Sequence, residues 1–379
     1  MTDLNSADGD LRPVQKPISS AFHAPGWIYS CPENYKEEQK KIFHSEWLMV
    51  GREEELANPG DYKAIRIFDE PLLLSRDKDG VLRAFANVCR HRGVEVAFGT
   101  GNAKLFTCPY HGWTYRLDGT LLGASTVSEN VGFDKKTCRL PSIHMNIWAG
   151  NIFVNFAKDP PPFEDFAASL EKRFGHLHLD RLRIGGKETV PQGCNWKFGV
   201  ENLLDFYHVQ VLHLDTLGKK FDFNGDDIQS EAGWIEASYR GAPLTPDGQS
   251  RFPRLPWLEG LGDDYATSCR IPPNMHLFAR IDQVLIITIW PDSVDKCHLT
   301  AYLLFPEEVI NLPNFEADVQ THIKYVHDIA AEDILAVESL QAATLSANYR
   351  GGPMVPLEKS IHDVINDYLR RMDLSTVDA

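Results

Sequence analysis

Two short Cys/His pairs constrain this chain more than any other feature. The first is Cys89-Arg90-His91; sixteen residues later comes Cys108-Pro109-Tyr110-His111. Two thiolates and two imidazoles can fill a tetrahedral zinc site, or they can divide over a [2Fe–2S] cluster, with Cys89 and Cys108 on one iron and His91 and His111 on the other. Zinc fingers usually open with a Cys pair and close with a His pair. Here each pair mixes one Cys with one His, as expected when each turn gives one ligand to each iron. Gly93 and Gly112 follow the pairs closely and allow tight turns. A fold carrying such a centre must hold two loops face to face, and short strands do this well.

The flanking sequence agrees. Residues 49–157 carry short alternating or apolar runs, punctuated by Asn58-Pro59-Gly60, Asp79-Gly80, Asp118-Gly119 and Ala149-Gly150. This pattern predicts an all-β region with the Cys/His pairs at the tips of two strand–turn units. Before it, residues 1–20 are polar and read as disordered. Residues 32–48 read as an amphipathic helix with Tyr35, Gln39, Ile42, Phe43 and Trp47 on one face. After it, Lys158 to Asp165 with three consecutive prolines reads as a linker. We therefore expect an N-terminal tail and helix (1–48), a first domain (49–157) and a second domain (158–379).

The second domain reads as mixed. Helices are expected near 166–174, 196–214, 313–345 and 358–373. Strands are expected near 184–190, 275–280, 283–291 and 297–305. Residues 215–260, rich in Gly, Asp and Pro, read as a long irregular loop. Strands followed by a long C-terminal helix predict an α+β fold with a sheet curled around that helix.

The 196–214 stretch holds a second constellation: Asn202, Asp205, His208 and His213. Two His and a carboxylate with open positions form the facial triad of oxygen-activating Fe(II) enzymes. On a regular helix, residues five apart lie about 140° around the axis. His208 and His213 converge only if the helix is distorted or ends between them. Asp205 and His208, three apart, share a face. Asp205 can accept the hydrogen bond of the non-ligating ring nitrogen of His208 or of a neighbouring histidine. For the third ligand, the long helix offers Asp328, Glu332, Asp333 and Glu338. Asp333 falls on one stripe with Ile329, Val337 and Leu340, and a carboxylate aimed among apolar residues needs a partner or a metal.

The totals exclude other classes. The 379 residues carry a net charge of −15, which argues against nucleic acid as a partner. The N-terminus lacks an apolar signal region and no run approaches the ~18 apolar residues of a membrane span, so a cytoplasmic protein without a membrane partner is expected. Seven cysteines do not make a disulfide framework. Cys31, Cys138, Cys194, Cys269 and Cys297 read as small hydrophobes, and His44, His322 and His327 as packing or surface groups. Trp234, Tyr239, Phe252 and Trp257 are candidates to line a pocket or to cage a quaternary ammonium.

The strings NVCRHRG and CPYHGWTYRLDG resemble the Rieske motif of ring-hydroxylating and related non-haem iron oxygenases. The 202–213 string resembles the family's N-X2-D-X2-H-X4-H motif, matched at Asn202, Asp205, His208 and His213, and Glu332 to Gln341 resembles its E-D-X4-E-X2-Q segment. The resemblance spans roughly residues 27–370. It implies an all-β Rieske domain plus a helix-grip catalytic domain, with a [2Fe–2S] cluster on Cys89, His91, Cys108 and His111. It also implies a mononuclear Fe(II) on His208, His213 and Asp333, with Asn202 beside the iron. The chain would be a terminal oxygenase that receives electrons from an NAD(P)H-dependent reductase, with or without a ferredoxin, and uses O2. A head-to-tail homotrimer would place Asp205 as the bridge between one subunit's cluster and its neighbour's iron. For the substrate we expect a small aromatic compound, mono- or dihydroxylated. The alternative is N- or O-demethylation or monooxygenation of a quaternary ammonium or methylated compound.

Overall fold

The computed structural model describes residues 9–124, 127, 132–217, 221–222 and 227–376. The chain divides into two compact units: His44–Ala167, and the flanking residues up to Phe43 and from Ala168 onward.

The first unit is built from ten short strands: β1 (Leu48–Arg52), β2 (Asp61–Ile67), β3 (Glu70–Arg76), β4 (Leu82–Ala86), β5 (Thr100–Asn102), β6 (Phe106–Thr107), β7 (Thr114–Tyr115), β8 (Leu121–Gly123), β9 (His144–Trp148) and β10 (Asn151–Asn155). They form three antiparallel sheets, ordered β1-β10-β9, β4-β3-β2-β5 and β6-β7-β8. The turn chemistry does what its residues dictate. At the β7–β8 hairpin Asp118 Oδ1 accepts from the Thr120 N–H at 2.9 Å, and Gly119 sits at φ +81°. A Cβ on Gly119 would lie 2.6 Å from the Phe85 ring, so both the dihedral and the close approach require glycine. A single apolar cluster containing Phe85, Phe106, Trp113, Tyr115 and Leu140 closes around Cys89 and Cys108.

The second unit carries strands β11 (Leu182–Gln192), β12 (Phe221–Asp222), β13 (Ile228–Glu231), β14 (Trp234–Gly241), β15 (Tyr265–Ile271), β16 (Met275–Arg280), β17 (Val284–Ser293) and β18 (Lys296–Pro306). These make one antiparallel sheet, ordered β11-β18-β17-β16-β15-β14-β12, with β13 on β14. The helices of the chain are α1 (Trp27–Ser30), α2 (Pro32–Glu38), α3 (Phe163–Phe174), α4 (Trp196–Asn202), α5 (Glu307–Ile310), α6 (Phe315–Ala343) and α7 (Lys359–Arg371). The long α6 packs on β11 and α4. Its approach to β11 is set at a bulge between Ile184 and Gly186. A Cβ on Gly185 would lie 2.5 Å from Phe305 and Phe315, and one on Gly186 would lie 2.9 Å from Ile323. This is the α+β, helix-grip arrangement expected.

Four expectations need correction. Residues 9–20 are packed: Leu11 and Val14 are buried, and the Val14 and Lys16 carbonyls accept from Asn366 and His362 of α7. Apolar anchors too sparse to register as a pattern hold this segment. The helix expected over 32–48 is shorter: α2 widens into a π-helical turn at Gln39–Phe43 and stops there. Trp47 instead donates to the Pro161 carbonyl and packs on Phe163. Within 215–260, β13 and the eight-residue β14 are regular strands; tertiary pairing with β15 overrides the local Gly and Asp content. Residues 218–220 and 223–226 of that stretch lie outside the described residues. On α6 the inward stripe runs Asp333, Val337, Gln341, while Leu340 is exposed. A 3.6-residue period carries the buried face to i+4 at this point.

α4 is anchored by a buried polar group. Lys197 and Glu38 pair, and Trp196 Nε1 donates to Glu38 at 2.7 Å. The Lys197 ammonium also sits over the rings of Tyr29, Trp196 and Tyr368 at 5.0–5.7 Å. Burial lowers the Lys197 pKa, and the Glu38 charge works against that shift. One residue before Asn202, buried Glu201 accepts from Tyr29 at 2.8 Å, and burial pushes its carboxyl up to about 7.

Candidate metal centres and cavity

In the all-β unit the two Cys/His pairs sit on matching loops. The Gly93 N–H donates to the Cys89 carbonyl at 2.9 Å, and the Gly112 N–H donates to the Cys108 carbonyl at 3.0 Å. Both glycines have positive φ, +81° and +70°. The Cys89 and Cys108 N–H groups donate back to Val94 and Trp113. Each loop thus turns tightly enough to aim a thiol and an imidazole at one space. Cys89 and Cys108 are buried, while His91 and His111 are exposed. The two Nδ1 atoms lie 3.2 Å apart, with the rings at 76°. Two imidazoles that present the same nitrogen at this separation fit cis ligation of one iron, with the buried thiols left for the other. Trp113 stacks on His91 at 5.1 Å.

Tyr115 was not singled out in the sequence. Its fully buried hydroxyl lies 3.3 Å from Cys89 Sγ and accepts from the Arg90 N–H at 2.9 Å. Burial raises its pKa, so it keeps its proton. A sulfur bound to iron carries no proton, so in a cluster-loaded site the Tyr115 hydroxyl would be the donor to it. Hydrogen bonds to the sulfurs raise a cluster's potential. Tyr115→Phe is expected to lower the midpoint potential by about 40 mV, from one hydrogen bond of ~1 kcal/mol converted for a one-electron couple. Protein-film voltammetry would read it; an unchanged potential would remove Tyr115 from this role.

In the second unit α4 ends at Asn202, and no continuous helix runs to 214 as the periodicity had suggested. Asp205 takes over the backbone there. Its Oδ1 accepts from the Tyr207 N–H at 2.8 Å and the His208 N–H at 3.3 Å. Such side-chain bonds compete with the helical ladder and break it. A short 3-10 turn, His208–Gln210, follows. This break lets His208 and His213 converge, with ring centroids 4.9 Å apart.

Asp333, from α6, meets both. Its Oδ1 lies 2.9 Å from His213 Nε2 and 3.5 Å from His208 Nε2. The outer nitrogens face other carboxylates: His208 Nδ1 is 3.2 Å from Asp205, and His213 Nδ1 is 2.6 Å from Glu332. Thr216 Oγ1 also donates to Glu332 at 2.8 Å. At His213 the carboxylate contact is a hydrogen bond, whereas His208 Nδ1 approaches Asp205 without one; an Nδ1–H held outward leaves the Nε2 lone pair facing in, the pattern that orients metal-ligating histidines. Burial disfavours the charged imidazole of His208, but Asp205 and Asp333 outweigh it and raise its pKa to about 9. His213 is raised against burial by Asp333 and Glu332. Asp333 is lowered, both histidines overcoming its burial.

The donor set fits a divalent cation. One ligand atom each of His208, His213 and Asp333 lies within 4.8 Å of the others. Asp333 Oδ1 is buried and makes no hydrogen bond of acceptable geometry, despite its short contacts. Lone pairs that converge without bonding one another suit a shared ion. Of the competing carboxylates, Asp328 pairs with Lys324 at the surface and Glu338 accepts from the Gly193 N–H.

The three residues open onto a cavity of about 170 Å³. Its walls are mainly apolar, with Phe206, Phe221, Tyr239 and Phe278 among them, and Asn202 and Asp205 near the triad. Of the four aromatics weighed in the sequence, only Tyr239 reaches it. Trp234 packs on Phe174 and Arg173, Phe252 on Phe305 and Phe315, and Trp257 on His178. Phe206 and Arg280, which line the cavity, carried no signal of their own in the sequence. No helix among the described residues is long and apolar enough to cross a membrane.

Comparison with known proteins agrees with this geometry. Residues 46–137 match the model of the Rieske [2Fe-2S] domain, and residues 179–374 match that of the ring hydroxylating alpha subunit (catalytic domain). The chain belongs to the Rieske ring-hydroxylating oxygenase family, as the terminal oxygenase component. It is an oxidoreductase of the [2Fe–2S] and mononuclear-iron type that works with a reductase. It is 26% identical to the glycine betaine monooxygenase oxygenase subunit of Pseudomonas aeruginosa, over 93% of this chain and 91% of that one. It is 27% identical to the carnitine monooxygenase oxygenase subunit of Acinetobacter baumannii, over 89% and 90%. The fold also superposes on naphthalene 1,2-dioxygenase from Rhodococcus sp. with a TM-score of 0.73, at 20% identity over 94% and 95%.

Proposed function

We propose that this oxygenase inserts one oxygen atom into a quaternary ammonium compound, in preference to dihydroxylating an aromatic ring. The observation that carries the reading is the pair of relatives similar over nearly their whole length, both monooxygenases of such compounds by name. The cavity supports it. The rings of Phe206, Phe221 and Tyr239 cluster with centroids 4.6–6.0 Å apart along one wall. Aromatic faces attract a trimethylammonium group by cation–π contact without a hydrogen bond. This reading replaces the aromatic substrate expected from the sequence.

In this proposal His208, His213 and Asp333 hold the iron, while Cys89, His91, Cys108 and His111 hold the cluster. When bound, the iron supplies activation of O2 with electrons delivered by the cluster. The protein's own residues do the rest. Asp205 and Glu332 fix the two imidazoles, Asn202 borders the reacting space, and the apolar wall excludes water from it. The balance is one C–H bond, one O2, two electrons and two protons, giving one C–OH and one water. Hydroxylation at a carbon bonded to nitrogen gives a carbinolamine, which separates into amine and aldehyde. The electrons come from an NAD(P)H-dependent reductase.

The transfer circuit is a homotrimer. Each unit exposes apolar side chains at its metal site: Phe98 and Tyr110 in one, and Tyr207, Val211, Leu214 and Leu335 in the other. A head-to-tail interface that closes would cover both sets and bring one subunit's exposed His pair to its neighbour's Asp205.

The test is a single turnover. Iron-loaded, reduced protein is mixed with O2 and a pooled panel of quaternary ammonium compounds and aromatic acids, and product masses are read. A gain of one oxygen, or a tertiary amine with an aldehyde, is expected. A product with two added oxygens on a ring would overturn the reading.

A further inference from the structure

The cavity contains one cation that no part of the reaction described above uses. Arg280, the last residue of β16, is 5% exposed. Three strands set its position: Tyr239 of β14 lies opposite Ala266 of β15, and Ala266 lies opposite Arg280. The small Ala266 between them lets the arginine lean across the sheet. Its Nη1 donates to the Tyr239 hydroxyl at 2.7 Å, and the guanidinium carbon lies 4.9 Å from that ring. These contacts hold one edge of the group.

The other edge has no protein partner among the described residues. Nε is buried and has no hydrogen-bond partner, and Arg280 forms no ion pair among the described residues. The nearby carboxylate, Asp282, takes the Ser250 hydroxyl on Oδ2, makes no ion-pair contact with Arg280, and acts on it only through its field. Gly241 leaves the space beside Nη2 clear; a Cβ there would lie 3.6 Å from Nη2 and 3.2 Å from the Tyr239 ring. A buried guanidinium without an anion in contact is disfavoured, and a guanidinium edge is a planar fork matched to a carboxylate. The carboxylates lining the cavity, Asp205 and Asp333, already face the histidines.

We infer that Arg280, which lines the cavity, binds a carboxylate of the substrate, so that the substrate is carboxylate-bearing. Joined to the reading above, on which this specificity rests, the substrate is a zwitterion with a quaternary ammonium and a carboxylate. A simple cation would enter a cavity that already holds Arg280 and a metal dication, with only the unpaired, more distant charge of Asp282 to offset the arginine.

The test is equilibrium binding to the iron-loaded protein under nitrogen, by titration calorimetry, with glycine betaine, L-carnitine, choline and benzoate as probes. Wild type is expected to bind the carboxylates in preference to choline. Arg280→Met should weaken carboxylate binding roughly 30-fold or more and leave choline within a few-fold. Arg280→Lys should fall between, because it keeps the charge and loses the fork. Unchanged cluster absorbance and iron content check that each variant is folded. Equal loss for choline and the carboxylates, or wild-type binding in Arg280→Met, would overturn the assignment. If only benzoate binds, and does so through Arg280, the carboxylate role stands and the quaternary ammonium reading fails. If quaternary compounds bind independently of Arg280, the converse holds.

Discussion

Asp333→Ala is expected to abolish turnover and remove the mononuclear iron while the cluster's visible spectrum stays intact. Asp333 brings a carboxylate of α6 to the two Nε2 atoms, at 2.9 and 3.5 Å. Its loss leaves two neutral donors and no anionic ligand. Changing a group that only orients a metal ligand typically costs 10–100-fold in metal affinity, so loss of a ligand should exceed 100-fold. The buried methyl leaves His208 and His213 without the charge that faces them, but Glu332 still bonds the outer nitrogen of His213 and Asp205 still faces that of His208. The fold should therefore survive. Iron analysis against cluster absorbance is the check: two iron per chain in the variant, against three in the wild type. Three iron in Asp333→Ala would mean that another group completes the site, with Glu332, one residue away, first in line.

Asp205→Asn is expected to act differently, keeping both metals and blocking passage between them. The carboxylate does two things: Oδ1 ends the helix by accepting two backbone N–H groups, and Oδ2 faces His208 Nδ1 at 3.2 Å. An amide can keep the first role through its oxygen. It then turns an NH2 toward an imidazole N–H, donor against donor, and removes the negative charge. In the proposed trimer the same carboxylate also receives the neighbour's cluster histidine, so both contacts fail together. Reoxidation of the reduced cluster by O2 with substrate present, followed by rapid mixing, should slow by about 100-fold, at the upper end for a group acting through a ligand. Wild-type reoxidation rates in Asp205→Asn would sink the bridging role. Normal iron content in the same sample separates this outcome from simple loss of the site.

These two substitutions show where the fold and the site meet. A turn in which an aspartate side chain replaces helical hydrogen bonds is also the step that aims His208, a proposed iron ligand. The residues that stabilise the distortion are therefore the residues that tune the chemistry, and truncating them disturbs both.

Much of this was legible in the chain. The mixed Cys/His pairs with trailing glycines, the strand periodicity of 49–157, and the 202–213 string are local patterns, and local spacing determines which side chains a turn can present. The same holds for β16, β17 and β18, whose apolar runs match the observed strands within a few residues. What only the tertiary structure decided are the long-range choices. Asp333 and Glu332 are chemically alike neighbours, and only the seating of α6 on Gly185-Gly186 turns one to the Nε2 atoms and the other to an Nδ1. The convergence of His208 and His213 needed a helix to end early, which Asp205 brings about against the periodicity. Arg280 looked like any strand-end arginine until three paired strands placed it inside an apolar cavity, because burial belongs to the packed sheet and not to the residue.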